Sequence, residues 1–573
     1  MDIGKMIELA RGKKEVDIVL KNARLVNVFS GDIHLTNVAV HEGRVIGMGD
    51  YKAKEEIDLE GKYLVPGFFD GHVHLESSMV TPAEFARAVV PSGTTSVIID
   101  PHEIANVMGL DGIRYMLEAS RGLPLDVYIM LPSCVPATHL ETSGAKLTSY
   151  DLSLLLDNKR VLGLAEMMNF PGVISEDREV LDKIRIAQGK RIDGHAPGLK
   201  GKDLCAYIGA GIKSDHECIT VKEAKEKLRL GMYIMVREGT AARNLKDLLP
   251  LINPDNSRKC FFVTDDRHPQ DLLEEGHINS IIKKAVKLGF DPIAAIQMAT
   301  INTAEYFRLA DVGAIAPGYR ADMVVLKDME NFEIEKVFKN GRLIAENGQI
   351  LPRKIKKTKV TIRSSMNVDW MGLGEFNIKA EPGRVRVIQI IPGQIVTRKL
   401  IVSPKIEKGK VVADIDRDIL KIAVVERHLA SGNAGIGLVK GFGLKKGALA
   451  SSVAHDSHNI IIVGAKDEDM MTAAIEVVKM RGGQVVVSDD EVIASLALPI
   501  AGLMTNRPLE EARDKIKRLN QAATELGCRL KEPFMTLSFL TLPPIPELKL
   551  TDKGVVDVKK FQIVPLFVTS DQL

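Results

Sequence analysis

The sequence lacks the features that mark secreted and membrane-spanning proteins. Its 573 residues include only five cysteines, and none forms a CxxC pair. An odd, scattered set of this kind is typical of reduced thiols in a cytoplasmic protein. No run approaches the roughly 18 apolar residues that span a bilayer, and residues 1–15 mix charged and apolar positions, unlike a signal peptide. We therefore predict a cytoplasmic protein without a membrane partner.

An excess of charge of one sign is also missing. The 77 Lys and Arg residues against 75 Asp and Glu residues give a formal net charge of +2, and aromatic residues make up only 5%. Nucleic-acid-binding domains usually carry a basic patch or stripe, so we expect no nucleic-acid partner. The one basic stretch, at residues 352–357, is more typical of a solvated linker.

The chain does contain a repeated pattern of apolar strand, polar tip and amphipathic helix. Eight strand candidates occur in the first half, and helix-like stretches fall between many of them. Strands that alternate with helices predict a parallel sheet, and eight such units predict a (β/α)8 TIM-like barrel. The strand candidates are Tyr63–Val73, Thr95–Asp100, Val127–Leu131, Val161–Glu166, Arg191–His195, Ile212–His216, Met232–Val236 and Cys260–Thr264.

Short strands on both sides of this region predict a composite β-sandwich into which the barrel is inserted. We assign residues 1–65 and 310–352 to its two halves, residues 66–309 to the barrel and residues 360–573 to a C-terminal α+β domain. One helix is predicted at 291–309 and a hairpin at 335–344, around Asn340-Gly341. The predicted fold class is therefore α/β, with the barrel as its centre.

Polar residues concentrate at the predicted strand ends, where barrels of this kind carry their chemistry. His72 and His74 lie two apart, so their side chains project from the same strand face, and paired imidazoles suit a transition metal. Four imidazoles and two carboxylates suffice for two divalent ions with one carboxylate bridging. Such a pair can polarise a substrate and generate hydroxide near neutral pH. The set comprises His72, His74, Glu166, His195, His216 and Asp265.

The stretch Pro66-Gly67-Phe68-Phe69-Asp70-Gly71-His72-Val73-His74 resembles the PGxxDxHxH signature of the amidohydrolase superfamily. Its members pair a (β/α)8 barrel with a small β-sandwich and hold one or two metals. Many members with two metals use a carboxylated Lys on the fourth strand as the bridging ligand. Here the fourth strand has no Lys and ends in Glu166, and in this respect the chain resembles the adenine deaminase branch. The similarity continues through His72–Met79, Asp100–Val107, Ser214–Glu217, Thr264–Pro269 and Ser452–Asn459, and so covers nearly the whole chain.

This resemblance implies a reaction, cofactors and an assembly. The expected reaction converts adenine to hypoxanthine and ammonia, in purine salvage or adenine catabolism, through a hydroxide held between two metals. Mn(II) or Fe(II) is the expected metal, Zn is the alternative, and a homodimer is implied. His72, His74 and Asp265 would hold one ion, His195 and His216 the other, and Glu166 would bridge them.

Two carboxylates are expected to act in catalysis. Asp265 would serve as general base and then acid; it is preferred to Asp266 because it comes first after the apolar run Phe261-Phe262-Val263, and Asp266 is the alternative. Glu217 would share the proton transfers or orient the ring, or else be structural.

Other residues are assigned to the substrate or to structure. His102, Glu103, Asp266 and His455 are the predicted substrate-binding residues, with a loop-ordering role as the alternative for His102 and Glu103. The His455–His458 segment could equally bind metal, act as a lid or form an interface, and Arg237 or Glu238 could form an ion pair at the mouth.

Two alternative functions stay open. One is another amidohydrolase that acts on a cyclic amide or N-acyl substrate, although the hydantoinase type usually needs the Lys that is absent here. The other is a metal-binding scaffold protein. A purely structural metal site has no need for a base such as Asp265 beside open coordination positions, which favours the enzyme.

Overall fold

The computed structural model describes residues 2–352, 363–370 and 376–568. Except for Pro352, the basic stretch predicted as a linker at 352–357 lies outside these residues. Among the described residues, no helix combines the length and the apolar composition needed to cross a membrane.

The predicted barrel is confirmed by the central region, whose strands run parallel. The first five form one sheet and the last three another, and a parallel bridge between Val73 and Asp265 joins the last strand to the first. Buried apolar side chains such as Ile98, Met130 and Phe261 pack together as one core cluster. The barrel strands are Phe68–Val73, Thr94–Ile99, Asp126–Leu131, Val161–Met167, Arg191–Gly194, Ser214–Asp215, Tyr233–Arg237 and Cys260–Val263.

Helices follow most of the barrel strands and cover their outer faces. The helix predicted over 291–309 is wrong as a single element, because Thr300 leaves helical geometry at φ −141° and ψ −92°. Its hydroxyl donates to the Ile296 carbonyl at 2.6 Å, a bond that competes with the helical ladder. The helices of this region are Pro82–Val89, His102–Met108, Leu110–Ala119, Ser149–Ser153, Phe170–Ile174, Arg178–Ile186, Gly201–Gly209, Val221–Arg229, Leu245–Leu248, Pro269–Glu274, Ile278–Lys287, Pro292–Met298 and Ile301–Tyr306.

Strands from both flanks of the barrel join one mostly antiparallel sheet. The predicted hairpin is present, and Asn340 and Gly341 turn with φ of 48° and 70° between its paired strands. A short helix, Ile3–Ala10, precedes this sheet. Its strands are Val16–Asn27, Asp32–His41, Arg44–Met48, Ala53–Asp58, Tyr63–Pro66, Met323–Leu326, Ile334–Lys339, Arg342–Glu346 and Gln349–Ile350.

The single strand predicted at Tyr63–Val73 is wrong, because the chain changes sheets inside it. Tyr63–Pro66 pairs with Met323–Leu326 in the flanking sheet, whereas Phe68–Val73 begins the barrel. Gly67 lies at the change, and a Cβ there would come within 2.3 Å of the Thr95 hydroxyl oxygen. Only glycine allows this close approach.

The C-terminal domain has a mixed sheet with helices packed against it. Its main sheet consists of Thr397–Val402, Arg384–Ile390, Ala434–Lys440, Ile419–Val425, Ile460–Gly464, Ala448–Ser451, Gly483–Ser488, Glu491–Ala497 and Phe567–Val568. Smaller sheets contain Ile378–Lys379, Lys405–Glu407 and Lys410–Val412, and then Leu548–Thr551, Gly554–Asp557 and Gln562–Val564. Within the described part of this domain, the α-helices are Asp467–Lys479, Leu509–Glu525 and Pro533–Ser538.

This domain is fixed on the barrel by hydrogen bonds that cross between them. Asn459 Nδ2 donates to the Thr142 carbonyl at 2.8 Å, and the Thr142 amide donates to Asp552 Oδ1 at 2.9 Å. Arg87 Nη1 donates to Glu510 Oε1 at 2.9 Å. The C-terminal domain therefore takes part in shaping the barrel mouth.

Candidate active site

The six side chains predicted as metal ligands meet at the mouth of the barrel. Each lies at the carboxyl end of a parallel strand or within two residues of it, and five of the six are buried, with His195 partly exposed. They are His72, His74, Glu166, His195, His216 and Asp265. Burying this many polar and charged groups is costly unless each finds a partner.

Glu166 lies at the centre of this cluster, and its two oxygens face different histidines. Oε1 is 3.3 Å from His74 Nε2. Oε2 is 2.7 Å from His195 Nδ1 and 3.1 Å from His216 Nε2. A carboxylate placed between imidazoles in this way could bridge two cations.

Asp265 faces His72 and also His74, which it shares with Glu166. Its Oδ1 is 3.1 Å from His74 Nε2 and 3.8 Å from His72 Nε2, and its Oδ2 accepts from Arg237 Nη1. The backbone holds it there, because the Asp265 amide donates to the His72 carbonyl at 2.9 Å where the barrel closes. His72 and His74 therefore converge on one carboxylate oxygen.

The orientation of the imidazoles fits bound cations. His74 Nδ1 lies 3.1 Å from the Asp100 carbonyl oxygen; since a carbonyl only accepts, Nδ1 carries a proton. Nε2 faces Glu166 and Asp265, where its lone pair would be available to a bound cation. Such an outer hydrogen bond commonly fixes a metal-binding histidine. His72 Nε2 is buried and has no hydrogen-bond partner among the described residues. A cation between these atoms would satisfy both imidazoles and both carboxylates.

The electrostatics of the site favour ionised carboxylates. Burial would raise the pKa of Glu166, but His216 and His195 outweigh it and hold that pKa well below its ordinary value. Burial likewise opposes ionisation of Asp265, but Arg237 and His74 hold its pKa well below its ordinary value. The cluster therefore keeps both carboxylates ionised, as metal ligands must be.

His102 and Asp266 lie at the edges of the cluster. His102 Nδ1 is 3.1 Å from Asp100 Oδ2 and 3.5 Å from Glu166 Oε1, so this histidine borders the predicted bridging carboxylate. Asp266 Oδ1 accepts from Ser77 Oγ at 2.5 Å. Both side chains line the pocket above the cluster, as substrate-binding residues would.

Glu103 joins the barrel to the C-terminal domain. Its Oε1 is 2.8 Å from His455 Nδ1, and its Oε2 contacts His458 Nε2. The Ala454 amide donates to His458 Nδ1 at 3.1 Å, so Nε2 of that ring carries the proton and donates to Glu103. This arrangement favours an interdomain hydrogen-bond network over the metal-binding reading of the His455–His458 segment.

Arg237 has a more central position than its sequence context predicted. Its Nη1 contacts both Asp265 and Glu217, and its Nη2 lies 3.2 Å from Glu217 Oε2. Glu238, the neighbour, pairs instead with Lys284. The only sequence signal for Arg237 is its place at a strand end, because an ion pair between residues far apart in the sequence leaves no local pattern.

The pocket above the cluster is closed by the C-terminal domain. Besides His455, five side chains of that domain line it, and we refer to those five as the C-terminal wall. The sequence reasoning singled out only Asp456, as part of the His455–His458 segment, and missed the other four, because they are apolar residues outside any metal-binding or catalytic motif. The C-terminal wall consists of Ile395, Asp456, Phe539, Leu542 and Ile545.

Comparisons with known proteins cover both domains. Residues 63–344 match the amidohydrolase family, and residues 394–562 match the adenine deaminase C-terminal domain. Adenine deaminase 2 of Carboxydothermus hydrogenoformans is 52% identical over 98% of this chain and 99% of its own length. Adenine deaminases of Dehalococcoides mccartyi and Methanothrix thermoacetophila are 52% and 49% identical, over 98% and 99% of this chain and 99% and 100% of their own lengths.

Proposed function

This chain belongs to the adenine deaminase family, and on that premise we propose that it converts adenine and water to hypoxanthine and ammonia. The observation that carries the proposal is the similarity to proteins of that name across both the barrel and the C-terminal domain. The reaction forms a C–O bond at C6 of the purine and breaks the bond from C6 to the exocyclic nitrogen. It needs an activated water and a proton carrier, and the cluster offers candidates for both roles.

We propose that the cluster binds two divalent ions. His72, His74 and Asp265 would hold one, His195 and His216 the other, and Glu166 would lie between them. Imidazole and carboxylate donors without thiolates suit Mn(II) or Fe(II), with Zn(II) as the alternative. When bound, such ions lower the pKa of a coordinated water and polarise the substrate.

Asp265 is the proposed proton carrier. Arg237 helps to keep it ionised, so it can accept a proton from the attacking water at neutral pH. Its place at the barrel mouth lets it pass that proton toward the ring nitrogen or the departing amine. Glu217, held by Arg237 and 3.4 Å from His216 Nε2, orients the ring or shares these transfers.

We further infer a cytoplasmic homodimer that acts in purine salvage or adenine catabolism. All five cysteines, which lie within the described ranges, are unpaired, in keeping with a reducing compartment.

The proposal is tested by following ammonia release and hypoxanthine absorbance on protein reconstituted with Mn(II) or Fe(II). Adenosine, dihydroorotate, a hydantoin and an N-acyl amino acid are run beside adenine. We expect turnover of adenine alone, lost on chelation and restored by the metal. Turnover of a cyclic amide or N-acyl substrate instead would identify another amidohydrolase, and two bound ions without any turnover would favour a metal-binding scaffold.

A further inference from the structure

One carboxyl group of the C-terminal wall has no function in the account so far. Asp456 is 4% exposed, and its Oδ2 has no hydrogen-bond partner among the described residues. It lines the same pocket as Glu166 and Asp265. Since a buried carboxyl is costly unless something hydrogen-bonds to it, its position calls for a ligand.

The surroundings of Asp456 make it the distinctive polar group of that wall. The other four members, Ile395, Phe539, Leu542 and Ile545, are apolar. Burial raises the pKa of Asp456 to about 6, although His102 acts in the opposite direction. In either protonation state the group keeps an oxygen that can accept a hydrogen bond.

The segment that carries Asp456 is held firmly on both sides. The His455 amide donates to the Ser538 carbonyl at 3.1 Å, and the His455 carbonyl accepts from Thr541 Oγ1 at 2.9 Å. The His455 ring stacks on Phe539 with centroids 4.8 Å apart and an interplanar angle of 17°. Its Nδ1 is hydrogen-bonded to Glu103 of the barrel. A group fixed in this way is preorganised for a ligand.

We propose that Asp456 is a specificity-determining residue that accepts a hydrogen bond from N9–H of the free purine base. The inference rests on the proposed function, because the reacting C6 must lie against the barrel cluster. N9 is on the opposite side of the purine from C6, so it faces the C-terminal wall. A nucleoside carries a sugar at N9, which removes the hydrogen-bond donor and adds bulk against the apolar side chains.

The test compares two inhibitors that differ only at N9. Hypoxanthine carries N9–H, and 9-methylhypoxanthine does not; their inhibition constants are measured against adenine in the wild type, Asp456→Ala and Asp456→Asn. In the wild type we expect hypoxanthine to bind about 10- to 100-fold more tightly, the range for a hydrogen bond to a charged group. Asp456→Ala should bring the two constants close together, and Asp456→Asn, which keeps an acceptor, should have a smaller effect.

Asp469→Asn is the matched control. Asp469 is 1% exposed, its Oδ2 is also without a partner among the described residues, and it belongs to the helix Asp467–Lys479 of the same domain. This variant should keep the wild-type ratio of inhibition constants. A change of equal size in Asp469→Asn would mean that the effect is general to the domain and would overturn the assignment.

Two results overturn the inference while the proposed function stands. One is an active wild type that binds 9-methylhypoxanthine as tightly as hypoxanthine, which needs no variant at all. The other is an unchanged ratio of inhibition constants in Asp456→Ala. A metal-loaded wild type without activity on adenine would instead fail the proposed function, and this inference with it.

Discussion

The two sides of the pocket differ in chemistry and in how the chain builds them. The barrel side gathers four histidines and two carboxylates from the ends of five strands, and the closing backbone bonds of the barrel help to fix their positions. The C-terminal wall has four apolar side chains and one carboxyl group, carried on loops and on short turns of helix. Charge is concentrated on the barrel side, whereas on the C-terminal side the titratable lining groups are Asp456 of the wall and the neighbouring His455.

This difference separates two tasks that one surface would perform poorly. Dense, paired charges suit an activated water and a proton carrier, which need little change of position during the reaction. An apolar wall with one hydrogen-bonding group suits selection among ligands. It excludes water, so a ligand without the matching donor leaves the buried polar group without a hydrogen-bond partner. Changes on the barrel side should therefore lower metal content or kcat, and changes in the C-terminal wall should act mainly on KM and on choice of substrate.

The largest expected effect follows the loss of the central carboxylate. Glu166→Gln removes the charge that faces both groups of histidines, so metal content should fall from two ions per chain. The kcat should fall by about 10³-fold or more, since the ions supply several kcal/mol to the transition state. Metal analysis and hypoxanthine formation measure the two losses. Glu238→Gln is the control, because Glu238 lies at the same mouth but pairs with Lys284. An equal loss of metal and kcat in Glu238→Gln would contradict a specific role for Glu166.

The next effect concerns the proton carrier. Asp265→Asn should lower kcat by about 10²- to 10⁴-fold, the range for general acid–base catalysis, and more than it changes KM. Asp266→Asn is the matched neighbour and should lower kcat less than tenfold, because Asp266 accepts a hydrogen bond from Ser77 at the edge of the cluster and a single hydrogen bond contributes only about 1 kcal/mol. Steady-state kinetics with metal analysis separates them. The reverse order of effects would move the assignment to Asp266.

A smaller effect is expected in the C-terminal wall. Phe539→Ala removes an aromatic face beside the pocket, and base–aromatic stacking of about 1–3 kcal/mol predicts an increase of about tenfold in KM for adenine. The kcat and the metal content should change little. Phe539→Leu keeps much of the side-chain volume, so its KM for adenine should lie between those of the wild type and Phe539→Ala. A fall in kcat without any change in KM would break the proposed division between the two sides.

The last effect acts on stability and leaves catalysis aside: it is a pH dependence of the free energy of unfolding. Lys549 Nζ donates to the carbonyls of Ile395 and Phe539, each at 2.8 Å, and burial lowers its pKa to about 7 from 10.5. Between these values the unfolded chain binds more protons than the folded one, so the free energy of unfolding should rise with pH. This residue contributes a slope of up to about 1.4 kcal/mol per pH unit.

Lys549→Met should remove that contribution. Denaturant unfolding at pH 7, 8 and 9 would show a flatter pH dependence in this variant than in the wild type. Lys553→Met, at an exposed position in the turn between Leu548–Thr551 and Gly554–Asp557, should leave the slope as it is. Identical slopes in all three proteins would contradict the assignment of a lowered pKa to Lys549.

The sequence was most informative where chemistry and regular structure coincide. His72 and His74 could be placed because strand alternation puts them on one face, and Glu166 and Asp265 because parallel strand ends meet at one mouth. The sheet change at Gly67 was missed, since an apolar strand has the same sequence pattern whichever sheet it joins. The break at Thr300 was missed because a single threonine is compatible with a helix.

The C-terminal wall was beyond local sequence reasoning. Phe539 and Leu542 resemble ordinary core residues, and only tertiary packing turns them toward the pocket. Asp456 lies in a motif-like segment, but its missing hydrogen-bond partner is a property of the folded structure. The contact of Arg237 with Asp265 likewise joins neighbouring strands whose sequences carry no sign of the pair.

The most direct test of this account is anomalous diffraction from crystals of the Mn(II)-loaded protein with bound hypoxanthine. We predict two metal peaks on the barrel side, one beside His72 and His74 and the other beside His195 and His216, with Glu166 touching both. The bound purine should lie between these peaks and the C-terminal wall. A single peak, or a peak held by Glu103 and His458 instead, would contradict the account.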